Sequence, residues 1–178
     1  MQIPLVMTLI GPDRTGLVES VARVVAGHGG NWLESRMHRL GGQFAGIIRV
    51  EVPGGGESAL ERDLTGLSAQ GLTVVCRADG AEEKSAPRFA AVEIVGLDRP
   101  GIVREISHAL ARAGANVEEL VTARESAAMS GEPLFKAAIK ISLPEGCDVD
   151  GIRRELEEIA AHLMVDISLE PLEADAAA

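Results

Sequence analysis

Apolar residues fall into two rhythms along this chain. From about Ile3 to Ile10, and again from Arg88 to Gly96, they dominate short runs that read as strands. Each run is followed by apolar positions three and four apart: Leu17, Val18, Val21, Val24 and Val25 in the first case, Ile102, Val103, Ile106 and Leu110 in the second. That spacing puts one apolar stripe on a helix. Gly29 and Gly114 end the helices, because glycine accepts the positive φ that closes an α-helix, and new strands are expected near Asn31 and Asn116. Gly41-Gly42 turns the chain. Strict alternation then sets Phe44, Gly46, Ile48, Val50 and Val52 against Ala45, Ile47, Arg49 and Glu51, and later Phe135, Ala137, Ile139, Ile141 and Leu143 against Lys136, Ala138, Lys140 and Ser142. Pro53-Gly54-Gly55-Gly56 and Pro144-Glu145-Gly146 break these strands. Second helices follow, with Leu60, Leu64 and Leu67 or Ile152, Leu156, Ile159 and Leu163 inward, and closing strands at Leu72 to Arg77 and Met164 to Leu169.

The two halves are one pattern written twice. "IGPDRTGLVESVARVVAGHGGNWLE" from Ile10 aligns at an offset of 85 with "VGLDRPGIVREISHALARAGANVEE" from Val95. After extra residues in the second copy, "FAGIIRVEVPGG" from Phe44 matches "FKAAIKISLPEG" from Phe135. The order β-α-β-β-α-β with right-handed crossovers predicts an α+β fold: two ferredoxin-like units, each a four-stranded antiparallel sheet with two helices on one face. The other face is left uncovered. The first unit is expected over 1–80 and the second over 87–173, with the polar stretch 78–87 as linker, Glu125 to Pro133 as a mobile excursion, and Ala174 to Ala178 as a frayed tail.

Composition narrows the chemistry. Trp32, Phe44, Phe89 and Phe135 are the only aromatic residues, so platforms for stacked bases are missing. The net charge of −10 comes from seven basic and eight acidic residues in 1–80 and ten against nineteen in 81–178. No basic stripe exists, which argues against direct nucleic-acid binding. Cys76 and Cys147 are far apart in sequence, and His28, His38, His108 and His162 show no metal-site spacing, so no metal or other cofactor is expected. No stretch reaches the ~20 apolar residues of a membrane span, and the reading is of a cytoplasmic protein.

The segments "GPDRTGLV" and "GLDRPGIV", each between a first strand and a first helix and followed by "GGN" or "GAN" at the helix exit, resemble the ACT domain family. Two such units filling a short chain resemble, more narrowly, the glycine cleavage system transcriptional repressor group. The resemblance implies binding of a small amino acid such as glycine at an interface between ACT units, with the loop before the first helix and the residues at its exit supplying contacts. The candidate ligand-binding residues are Gly11, Asp13, Arg14, Thr15, Gly16 and Asn31 in the first copy and Gly96, Asp98, Arg99, Gly101 and Asn116 in the second. A helix N-terminus offers N–H groups and positive potential to a carboxylate, and an amide oxygen of Asn31 or Asn116 suits an ammonium group.

Each candidate also has a purely structural account. Asp13 and Asp98 stand where a helix N-cap belongs; Arg14 and Arg99 could pair with a local acid; Gly16 and Gly101 could permit close helix-to-sheet packing; Asn31 and Asn116 could be turn residues. Trp32, next to Asn31, is expected close to the Gly11 to Gly16 loop. Catalysis is not expected: Ser107-His108 diverge on a helix, Glu118-Glu119 and Glu157-Glu158 read as surface charge, and "PGGGES" at 53–58 lacks the Lys-Ser/Thr ending of a phosphate loop. All four helices carry a stripe that covers a sheet, so none is free for a DNA groove. The chain therefore reads as a small-amino-acid-sensing regulator acting through a protein partner and pairing as a homodimer. The alternative is a ligand-free interaction module built from paired sheets.

Overall fold

A computed structural model of the protein describes residues 1–80, 88–127 and 131–172. The chain divides into two compact units, Met1–Glu82 and Glu83–Ala178. The first unit runs β1 (Gln2–Pro12), α1 (Leu17–Gly27), β2 (Asn31–Leu40), β3 (Gln43–Pro53), α2 (Glu57–Gly66), a 3₁₀ turn at Leu67–Gln70, and β4 (Thr73–Ala78). The second runs β5 (Arg88–Leu97), α3 (Ile102–Arg112), β6 (Asn116–Ser126), β7 (Pro133–Leu143), α4 (Val149–Leu163) and β8 (Val165–Leu172). Strand order is β2-β3-β1-β4 and β6-β7-β5-β8, antiparallel throughout. The expected βαββαβ pattern is present twice.

Alternation decides which face is buried. In the first unit Leu5, Met7 and Leu9 of β1 and Ile48, Val50 and Val52 of β3 lie under α1 and α2, which contribute Leu17, Val21, Val25, Leu60 and Leu64. In the second, Ala90, Val92, Ile94, Ile139 and Ile141 meet Ile102, Ile106, Leu110, Ile152 and Leu156. Among the described residues both core clusters are built of apolar side chains, so apolar burial holds each core.

The helix ends follow the expected glycines. Gly29 has φ +68° and Gly114 φ +72°. The amides of Gly29 and Gly30 reach the carbonyls of Ala26 and Val25, and those of Gly114 and Ala115 reach Ala111 and Leu110, the paired bonds of a Schellman ending. Gly41 and Gly42, at φ +58° and +78°, make the two-residue turn of the first hairpin. Two features escaped the sequence pattern. A bulge falls between Trp32 and Glu34 and another between Val117 and Glu119, again 85 residues apart. The second hairpin is also longer than expected: Glu125, Ser126 and Pro133, placed in a mobile excursion by sequence, belong to the β6–β7 ladder. The linker residues 81–87, the excursion residues 128–130 and the tail lie outside the described residues.

Candidate functional site

In each unit the loop between the first strand and first helix is tied down at both backbone and side chain. The Asp13 amide donates to the Gly42 carbonyl and the Asp98 amide to that of Pro133, both at 2.9 Å. Their side chains pair with arginines of the neighbouring edge strand: Asp13 Oδ2 with Arg39 Nε at 2.7 Å, and Asp98 Oδ2 with Arg124 Nε at 2.8 Å. Both partners sit 85 residues apart, so the ion pair is duplicated with the fold. Neither aspartate is a helix cap, which corrects the capping account. The N-caps are Gly16 and Gly101, and neither helix has a side-chain cap. The aspartates lie three residues too early, and their carboxylates turn away to the hairpin.

Gly16 and Gly101 have φ of +87° and +102°, and a Cβ on either would meet nothing within 4 Å. Helix-to-sheet packing is therefore not their role. They supply the left-handed turn that leads into α1 and α3, and no side chain caps either helix start. Gly11 and Gly96 differ. A Cβ on Gly11 would come within 2.5 Å of the Gly71 carbonyl oxygen, and one on Gly96 within 2.5 Å of Val165 Cγ1. Both are needed where the last strand enters alongside the first, and both are packing positions.

Arg14 meets no acid among the described residues. Its Nη2 donates to the Gln70 carbonyl and Oε1 at 3.3 and 3.2 Å, binding the loop to the 3₁₀ turn. Thr15, like Arg14, is exposed, and Arg99 is half-buried.

The helix-exit residues lie elsewhere. Gly11 pairs with Phe44 at one end of β3, whereas Asn31 pairs with Glu51 at the other. Seven strand residues separate these positions, roughly 24 Å. The reason is topological: β1 and β2 run in the same direction, so α1 must carry the chain back before β2 begins. The same register separates Gly96, opposite Phe135, from Asn116, opposite Ser142. Trp32 thus packs on the core beside Val50, not near the loop. Asn31 Nδ2 donates to Glu51 at 3.2 Å, and Asn116 Nδ2 to Glu118 at 2.7 Å.

Other chemistry is absent or occupied among the described residues. In the Gly-rich turn after β3 the amides of Gly54, Gly55 and Gly56 already donate to Met1, Glu57 and Pro53, and the Glu57 carboxylate among these acceptors opposes a phosphate there. Cys76 and Cys147 are free thiols, and burial pushes the Cys76 thiol up, with the Glu61 carboxylate adding to the effect. Among the described residues no His, Cys, Asp and Glu group could hold a metal, and no helix is long and apolar enough to cross a membrane.

Comparison with known proteins agrees with this architecture. The sequence model of the ACT domain family matches residues 4–77. The chain is 24% identical over 161 residues to the glycine cleavage system transcriptional repressors of Escherichia coli (strain K12) and Shigella flexneri, covering 89% of this chain and 85% of each relative. A crystal structure of an unknown protein from Galdieria sulphuraria superposes with a TM-score of 0.84 at 28% identity, covering 97% of this chain and all of that one. A candidate glycine cleavage system transcriptional repressor shares the fold at a TM-score of 0.69, 20% identity, and coverage of 97% and 99%. With the ACT domain family model matching its first unit and the same βαββαβ architecture repeated in its second, the chain resembles a tandem of ACT domains and is similar over most of its length to the glycine cleavage system transcriptional repressors.

Proposed function

We propose that this protein is a regulator that senses a small amino acid, glycine being the first candidate, and passes the signal to a protein partner that controls expression of glycine cleavage genes. The observation that carries the reading is the pair of first-helix N-termini, each preceded by a left-handed glycine in open space and left without a side-chain cap. A carboxylate there accepts from uncapped amides and meets the positive end of the helix. Arg14 and Thr15, or Arg99, flank it. Asp13 and Asp98 act by holding the loop. Gly11 and Gly96 drop out as contacts, because their Cα faces are covered.

A single amino acid, with about 3.8 Å of backbone per residue, cannot touch both the loop and Asn31 of one unit. Asn31 and Asn116 contribute only where another chain's loop reaches them. The protein's relation to DNA is indirect, through the partner, since the −10 charge opposes phosphate.

The test is a thermal-shift and calorimetric screen of the twenty amino acids against the full chain. Glycine or a close analogue is expected to raise the melting temperature with saturable, stoichiometric binding, and Gly16→Val and Gly101→Val to abolish it. No response from any amino acid at millimolar concentration overturns ligand sensing. It leaves the second reading, a ligand-free interaction module, which the bare apolar sheet faces favour: Ile10, Ile47, Val95 and Val121 are all exposed there.

A further inference from the structure

The uncovered sheet faces are unlike each other in a matched way. On the first, Ile47 of β3 stands between Thr8 of β1 and Arg36 of β2, 56% exposed, with Val6 and Arg49 in the next row. On the second, the equivalent row is Glu93, Ala138 and Val121, followed by Ala91 and Lys140. Alanines stand where the first unit has Val6 and Ile47, and a depression of about 220 Å³ opens over them, rimmed by Glu93, Glu119 and Lys140. One face has a knob where the other has a hole.

Charge follows the same division. By register, the first face carries Arg36, Arg49 and Arg77 with Glu34 and Glu51, and Asp79 pairs with Arg49 at its margin, so bases and acids balance. The second carries Glu93, Glu119, Glu125, Asp166 and Glu170 against Lys136 and Lys140, five acids to two bases. Two second-unit faces brought together would set acid against acid. Unlike faces set Arg36 and Arg77 against the acidic rim.

We propose that the bare sheet face of the first unit docks onto the bare sheet face of the second unit in another copy of this chain, with Ile47 seated in the hollow over Ala91 and Ala138, and that two copies do so reciprocally. Area supports reciprocity. Four strands at ~4.8 Å and about six residues at ~3.4 Å give a face of roughly 400 Å². One contact covers two faces, about 800 Å², below the ~1,000 Å² a specific interface needs; two contacts reach about 1,600 Å². Each copy holds one face of each kind, so the exchange satisfies all four and leaves no bare sheet. The hollow is too open to enclose a small ligand by itself, which a binding cavity should do.

Sedimentation of the full chain and of two full-length variants, Ile47→Asp and Ala138→Arg, tests this. Both positions are exposed, and unchanged circular dichroism and melting will show that the variants fold. The wild type is expected at twice the chain mass and each variant alone at the chain mass. An equimolar mixture is expected to recover a one-to-one heterodimer. In it the unmodified Ile47 face of one variant meets the unmodified Ala138 face of the other, while the introduced carboxylate and the introduced guanidinium oppose each other at the second contact. A monomeric wild type overturns the proposal, and so does a hollow serving only a small molecule, which leaves the chain monomeric. Variants that still dimerise overturn it in favour of an edge-strand contact. Loss of dimer in Ile47→Asp alone points to first-face-to-first-face pairing and overturns it as well, as does a mixture that stays monomeric.

Discussion

Gly11 and Gly16 stand five residues apart and are glycines for different reasons. At Gly11 a methyl group would press on the Gly71 backbone, 2.5 Å away, and backbone cannot swing aside as a side-chain tip can. Gly11→Ala is expected to destabilise by about 1–3 kcal/mol, read as a lower urea midpoint. Gly16→Ala has free space and should cost only the left-handed backbone, about 1–2 kcal/mol. The Asp13–Arg39 pair, with Arg39 70% exposed, should show a coupling of about 0.2–1 kcal/mol in a double-mutant cycle. Cys76 is buried on β4 with its thiol pushed up, so less thiolate forms at a given pH. Alkylation at pH 8 should modify Cys147 first and Cys76 only on unfolding, by mass spectrometry. Sequence placed Asp13 in the right loop but could not reveal its partner, since Arg39 lies 26 positions on and reaches it only through the register of the Gly41-Gly42 hairpin. The fate of Asn31 was similarly hidden: adjacency to the helix exit reads as nearness to the helix entry only if the length of the helix is ignored.

At the level of elements, the strands and helices were legible because their periods of two and about three and a half are the direct imprint of one buried face. Gly29 and Gly114 were legible for an equally local reason. Helix starts were not. Among the described residues only α4 has a side-chain cap, Asp148 accepting from the Gly151 amide at 2.9 Å, whereas α1 and α3 begin on bare glycines. Asp148→Ala should therefore lower stability by about 1 kcal/mol with no effect on amino-acid binding, measured by chemical denaturation and calorimetry. The bulges were invisible because one extra residue interrupts no apolar run. Each nonetheless shifts the phase of its edge strand, so that Trp32 faces the core while Glu34 and Arg36 face out with Arg49 and Ile47. Without it Glu34 would point into the core.

For the whole molecule, the two cores share no residue: the first is drawn from Leu5 to Cys76, the second from Ala90 to Leu169. Each unit should fold alone, and fragments 1–80 and 87–178 are expected to unfold cooperatively by circular dichroism. Trp32 is the only tryptophan, so indole emission follows the first unit while circular dichroism follows both. If the units melt at different temperatures, the two signals in the full chain will fail to coincide. The duplication itself was the most legible feature, since an offset of 85 fixes Gly11 with Gly96 and Asn31 with Asn116 before any strand is assigned. The Asp13–Arg39 and Asp98–Arg124 pairs keep that offset, but Phe44 and Phe135 are 91 apart. All six added residues therefore fall in sequence between Glu125 and Leu134, past the ion pair, and they include the extra Ser126–Pro133 rung. That stretch differs in length between the two copies where the rest of the unit does not, which makes the segment between Ser126 and Pro133 the natural port for splicing in a circularly permuted fluorescent reporter, whose emission would then read out the proposed amino-acid response directly.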